Sequence, residues 1–187
     1  VEHFPAGNIP MLVARNAVDM EALLKVRSRR VVERGGLAGP DERGGARPLV
    51  FLNGAIRRKG ADVLLRAVAR LLEKGLLLDV MITGGAETDP DYYNELLELR
   101  RALALEERVT FGGIHTSLVP VFETADVYVS ASRNEAMPIA VVEAMAAGVP
   151  VIATDVGDCR DLLDDGQCGL VVAAEDVEAL ADALEQV

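Results

Sequence analysis

Cysteine, basic charge and long apolar runs are all scarce in this sequence, and each scarcity closes off a class of protein. The two cysteines, Cys159 and Cys168, are too few for a disulfide scaffold, and neither belongs to a Cys/His cluster with zinc-like spacing. They read as reduced thiols of a cytoplasmic protein, and no metal site is expected. Lys and Arg number 19 against 30 Asp and Glu, a net charge of −11. That balance argues against a general binder of nucleic acid or of anionic membrane surfaces, because phosphates and acidic lipids attract the opposite sign. An anionic ligand must then be met by local groups. No apolar stretch reaches the ~20 residues that cross a bilayer, and residues 1–10 lack the basic-then-apolar order of a signal peptide. A soluble chain is expected. Apolar material itself is ample: with 187 residues, 50% of them hydrophobic, one domain can bury its core without disulfides or metals.

The stretch 35–48 collects Gly, Pro and charge with no apolar period and reads as a mobile loop. It closes a lead-in segment, 1–48, that precedes a main body over 49–187. From there the apolar pattern alternates. A short strand is predicted at 49–52, followed by a helix at 62–74 with Leu64, Ala67, Val68, Leu71 and Leu72 on one face. Strands at 76–83, 108–111, 127–130, 149–153 and 170–172 follow in turn. Helices are predicted at 89–103, 118–124 and 138–147, a helical turn at 159–163, and a final helix from Asp176. Strands apolar on both faces, alternating with helices through short loops, predict an α/β, Rossmann-like three-layer domain: a mostly parallel sheet flanked by helices. Ligands in such open sheets bind at the carboxyl ends of the strands. The loops to inspect are therefore 53–60, 83–89, 112–117, 131–138 and 154–158.

Three constellations in those loops carry chemistry. The helix after Pro138 reads Ile-Ala-Val-Val-Glu-Ala-Met-Ala-Ala and stops at Gly148, so it is apolar all round except for Glu143. A carboxylate there costs several kcal/mol unless donors or a cation meet it. A vicinal diol of a ligand would supply two donors, as ribose does to acidic residues in dinucleotide folds; a structural ion pair or an exposed edge accounts for the same letters. Glu135 precedes the helix and could simply complement its positive end. The helix start, with Met137, Pro138 and Ile139, leaves free amides suited to phosphate. Arg57, Arg58 and Lys59 form a basic run before a helix, where cations oppose the dipole unless an anion is near. A phosphate site and a solvated loop are both consistent with it, and Lys59 is the stronger candidate for a pyrophosphate. Gly84 and Gly85 permit close backbone approach but lack the full Gly-x-Gly-x-x-Gly, which argues against a dinucleotide-dependent oxidoreductase. His115 beside Gly112 and Gly113 reads as a loop residue.

Taken in order, these pieces resemble the carboxyl-terminal domain of glycosyltransferase family 4, one half of the two-domain GT-B architecture. Asn53-Gly-Ala-Ile-Arg-Arg-Lys-Gly60 is similar to the loop ending in Lys-Gly, and Glu107-Arg-Val-Thr-Phe-Gly-Gly113 to the strand before the base-binding loop. Ser132-Arg-Asn-Glu-Ala-Met-Pro138 followed by Glu143-Ala-Met-Ala-Ala-Gly-Val-Pro resembles the Glu-x7-Glu signature in its setting. The resemblance implies a retaining, metal-independent transferase whose donor is a UDP-sugar or GDP-sugar. It implies that Lys59 contacts the donor diphosphate and that Arg58, Gly84 and Gly113 line the donor site. Glu143 would take the ribose hydroxyls, Glu135 the sugar or the phosphate-binding loop, and the amides at Met137, Ile139 and Ala140 the distal phosphate; Lys59 and Glu135 would be catalytic. The acceptor would sit in an amino-terminal domain expected to be missing from these residues, so that the chain by itself would bind nucleotide without transferring sugar. Two departures stand out: Gly54 occupies the place of the family's usual Arg, five before the Lys, and Ala136 that of the usual Gly after the first Glu. A sugar-nucleotide epimerase of the same fold and a non-catalytic nucleotide-binding module remain the alternatives.

Overall fold

The computed structural model describes residues 18–34 and 48–186; most of the lead-in segment, including the loop expected at 35–48 save Pro48, lies outside the described residues. The body builds six strands: β1 Leu49–Asn53, β2 Asp79–Thr83, β3 Val109–Phe111, β4 Val127–Ser130, β5 Val151–Thr154 and β6 Leu170–Val172. Between them lie α2 Ala61–Glu73, α3 Pro90–Ala102, α4 Val119–Thr124, α5 Ile139–Ala146 and α6 Cys159–Leu162, with α7 Val177–Glu185 last. A helix α1, Met20–Arg34, comes before β1. All neighbouring strands pair in parallel, in the order β3-β2-β1-β4-β5-β6.

Alternation within β1 shows why the sheet is covered on both faces. Val50 and Leu52 enter one core with α2, α3 and α7, while Phe51 enters the other with α1, α4, α5 and α6. Successive strand side chains point to opposite faces, and here both faces are apolar. Phe51 meets Phe122 and Tyr128 at centroid separations of 5.6 and 5.5 Å. Each such fully buried side chain contributes roughly 1.5–3 kcal/mol relative to exposure.

Two elements differ from the sequence reading. β2 begins at Asp79 rather than Leu76, because Gly75 turns the chain at φ +84 and Leu76 and Leu77 stay exposed in the connection. Within the lead-in segment, α1 packs on α4 and α5; among its described side chains only Leu23 and Val26 are fully buried, which leaves little periodic signal. Among the described residues no helix is long and apolar enough to cross a membrane.

Topology fixes where a ligand can sit. From β1 the chain steps outward to β2 and β3, then returns to place β4 on the other side of β1. The loops leaving β1 and β4 therefore diverge at the carboxyl edge, opening a crevice between them.

A candidate anion site at the switch point

The loop after β1 ends in a 3-10 turn, Arg57–Lys59, closed by Gly60 at φ +67. A side chain at Gly60 would place Cβ 2.0 Å from the Ala131 carbonyl oxygen. Only glycine allows this turn to lie against the loop leaving β4. Across that contact Lys59 Nζ donates to Glu135 Oε1 at 2.5 Å, Arg58 Nη1 pairs with Glu135 Oε2 at 2.9 Å, and Ser132 Oγ donates to Glu135 Oε1 at 3.0 Å. Arg58 Nη1 also donates to the Asn134 carbonyl at 3.1 Å. The Glu135 side chain is only 8% exposed and that of Lys59 17%. Burial works against the ionised Glu135, yet the Lys59 hydrogen bond and charge, Ser132 and Arg58 outweigh it and hold the carboxyl below its usual range. Two cations share one carboxylate, so the cluster keeps a net positive charge of one.

Of the basic run, Arg57 turns away. Its guanidinium pairs with Glu95 at 2.6 Å and lies 4.7 Å above the Tyr92 ring, on the α3 side. Arg58, not Arg57, is the arginine that shares Glu135 with Lys59. Gly54 itself adopts φ +110, and a Cβ there would come 3.0 Å from Lys59 Cγ. The lysine stem occupies that room.

The two helices beside the crevice start without a side-chain cap, at Gly60 and Pro138. In contrast Asp89 and Asp176 cap α3 and α7 through the Tyr92 and Ala179 amides. At α5 the first loop-to-helix bonds are those of Val141 and Val142 to the Pro138 carbonyl. The Ile139 and Ala140 amides ahead of them meet no acceptor among the described residues, so the positive helix end is open. Farther along α5, Glu143 is half-buried without a hydrogen-bond or ion-pair partner among the described residues, and burial alone raises its pKa. Glu135 and Glu143 both act on the buried Tyr128 phenol, whose pKa is raised first by burial and then by charges that include these two.

Glycines floor the rest of the edge. Gly84 N donates to the Gly113 carbonyl at 2.7 Å and Gly54 N to the Thr83 carbonyl at 3.2 Å. A Cβ on Gly84 would come 2.7 Å from the Ala55 amide nitrogen, so Gly113, Gly84 and Gly54 form a continuous path toward Lys59. His115 Nε2 contacts the Gly112 carbonyl at 3.1 Å and is exposed. On the far side, Thr154 Oγ1 donates to the Ser132 carbonyl at 2.6 Å, and a side chain at Gly157 would strike the Glu135 and Ala136 carbonyls. The β5 loop is packed under the Glu135 loop. Cys159, at the start of α6, is buried, which pushes its thiol up to about 11; it stays protonated near neutrality.

Lys59, Arg58, Glu135 and the Met137–Pro138–Ile139 helix start are therefore assembled at one place, and Glu143 lies on the same helix. No spacing in the sequence singles out Asp62, Tyr92 and Arg133, which tie the turn after β1 to the loop after β4, or Ser132, which braces Glu135 within its own loop. Their one visible signal is the Ser132-Arg133 pair that opens the segment Ser132 to Pro138.

A doubly wound sheet with such a crevice has the fold of the carboxyl-terminal domain of a GT-B glycosyltransferase. The chain belongs to the family Glycosyl transferases group 1, whose profile matches residues 47–187. A D-inositol 3-phosphate glycosyltransferase of Corynebacterium aurimucosum is 37% identical over 145 residues, covering 74% of this chain and 34% of that protein. Anabaena Alr3699/HepE, solved in complex with UDP and glucose, superposes with TM-score 0.73 at 22% identity, over 91% of this chain and 45% of that one. The C-terminal domain of the group 1 protein LpcC from Francisella tularensis gives TM-score 0.70 at 20% identity, over 91% of this chain and 87% of that domain. At these identities the structures speak for the fold. The chain spans about a third of the length of the curated relatives it matches.

Proposed function

We propose that the crevice binds the nucleoside diphosphate sugar donor of a retaining glycosyltransferase of family 4 type. The observation that carries this reading is the pairing of Lys59 and Arg58 with Glu135 across the switch point, beside the open Ile139 and Ala140 amides. Lys59 and Arg58 take the diphosphate, the α5 amides its distal oxygens, and Glu143 the ribose hydroxyls; Glu135 holds the cations in place and reaches the sugar end. Charge grows on the diphosphate as the sugar leaves, so cations fixed there lower the transition state more than the ground state. Losing one such donor typically costs about 2.7–4 kcal/mol of that stabilisation. The acceptor is met by residues outside this crevice, and the chain by itself binds the nucleotide without transferring sugar. UDP bound in Alr3699/HepE supports a pyrophosphate ligand for this fold.

Calorimetric titration of the chain with UDP, GDP and their sugars, beside Lys59→Ala and Glu143→Ala, tests the site. Binding by the unaltered chain and at least a tenfold loss in each variant is expected. Unchanged affinity in both variants refutes the assignment.

A further inference from the structure

Arg133 is the residue through which the two loops of the crevice are bolted together. Its guanidinium donates to both Asp62 carboxylate oxygens at 2.9 and 2.8 Å, to the Arg57 carbonyl at 2.7 Å and to Glu175 at 3.1 Å. Its own amide donates to the Arg58 carbonyl at 2.8 Å. Two of the three carbonyls in the turn that carries Lys59 are therefore held by one residue of the opposite loop. Asp62, in the first turn of α2, is held in its place by Tyr92, whose hydroxyl donates to the carboxylate and accepts from the Asp62 amide at 3.1 Å. The turn has no side-chain cap of its own at Ile56. Four of its five guanidinium N–H groups are bound within the chain, which holds the Arg133 side chain to the turn.

We propose that Asp62 and Arg133 are positioning residues for the diphosphate site, fixing the turn so that Lys59 and Arg58 point inward while Arg57 points out. The proposal rests on the donor-binding reading of the crevice. Its physical basis is planar, multi-donor geometry. A guanidinium can grip a carboxylate with two parallel bonds and still reach a carbonyl, which an ammonium cannot do at once. Arg133→Lys should therefore fail to preserve the arrangement although it keeps the charge. Arg133 on this account contributes to diphosphate recognition only through the placement of Lys59 and Arg58, not through the general stability of the fold.

The experiment titrates the full chain and its Arg133→Lys and Asp62→Asn variants, each alone and combined with Lys59→Ala, with UDP and GDP and with the corresponding nucleosides. Thermal melts are recorded alongside. Each single variant is expected to lose about tenfold in diphosphate affinity while the nucleoside affinity stays within twofold. In the Lys59→Ala background the further loss should fall below threefold, although the drop in melting temperature stays the same. A positioning role is overturned if diphosphate affinity is unchanged in both single variants, if nucleoside and diphosphate weaken equally, or if the full tenfold loss persists without Lys59. Failure of the unaltered chain to bind either diphosphate sinks the donor reading and this proposal with it, whereas intact binding in the variants sinks this proposal alone.

Discussion

Glu143→Gln should stabilise the protein and weaken its ligand at the same time. The carboxylate is half-buried on α5 without a partner among the described residues, and burial raises its pKa. An unsatisfied buried group of this kind costs about 1–3 kcal/mol; partial exposure puts this one near about 1 kcal/mol. For a chain of 187 residues, that corresponds to a gain of about 2–4 °C in melting temperature. The pH dependence fixes the cause. Because the folded pKa is raised, the folded state retains a proton where the unfolded chain has lost it, and stability falls as pH rises through that window. The advantage of Gln is therefore full at pH 8 and shrinks toward zero below the ordinary carboxylate range. Melts followed by circular dichroism at pH 8 and pH 4 measure both limits, and a nucleotide titration should show about tenfold weaker binding. No gain at pH 8, or a gain that persists undiminished in acid, would refute the reasoning, since either result means that the carboxylate is not strained by burial.

Gly60→Ala is expected to cost about 3 kcal/mol, because the left-handed φ and the approach of Cβ to the Ala131 carbonyl at 2.0 Å both oppose a side chain; a denaturant melt showing a loss below ~1 kcal/mol would contradict this. Placing an arginine five residues before Lys59 by Gly54→Arg should weaken nucleotide binding instead of improving it. The backbone at φ +110 resists the substitution, and the new Cβ presses on the stem of Lys59. Tighter binding on titration would show that Lys59 has room to yield.

The strand and helix order was legible because each element carries its own period. Val50, Leu52, Leu64, Val68 and Leu71 announce β1 and α2 from neighbouring letters, and they occupy the core accordingly. Glu143 was legible for the same reason, as the one charge in an apolar helix. α1 was not, since Leu23 and Val26 are its only described residues that are fully buried. The partners of the basic run were also hidden. Arg57, Arg58 and Lys59 are consecutive, and only the tight turn sends the first toward Glu95 and the other two toward Glu135. Arg133 and Asp62 are 71 positions apart; no local spacing links them.

The same remoteness has a consequence for how the molecule can be studied. Lys59 and Glu135 are 76 positions apart, contributed by strands that become neighbours only when the middle of the sheet closes. A fragment ending before β4 would keep the basic turn with Arg57 paired to Glu95, but would lose the Glu135 that holds Lys59 and Arg58. Ligand affinity is thus a probe of long-range order, and a bound nucleotide should slow amide exchange in β1 and β4 together, even though each belongs to a different half of the winding.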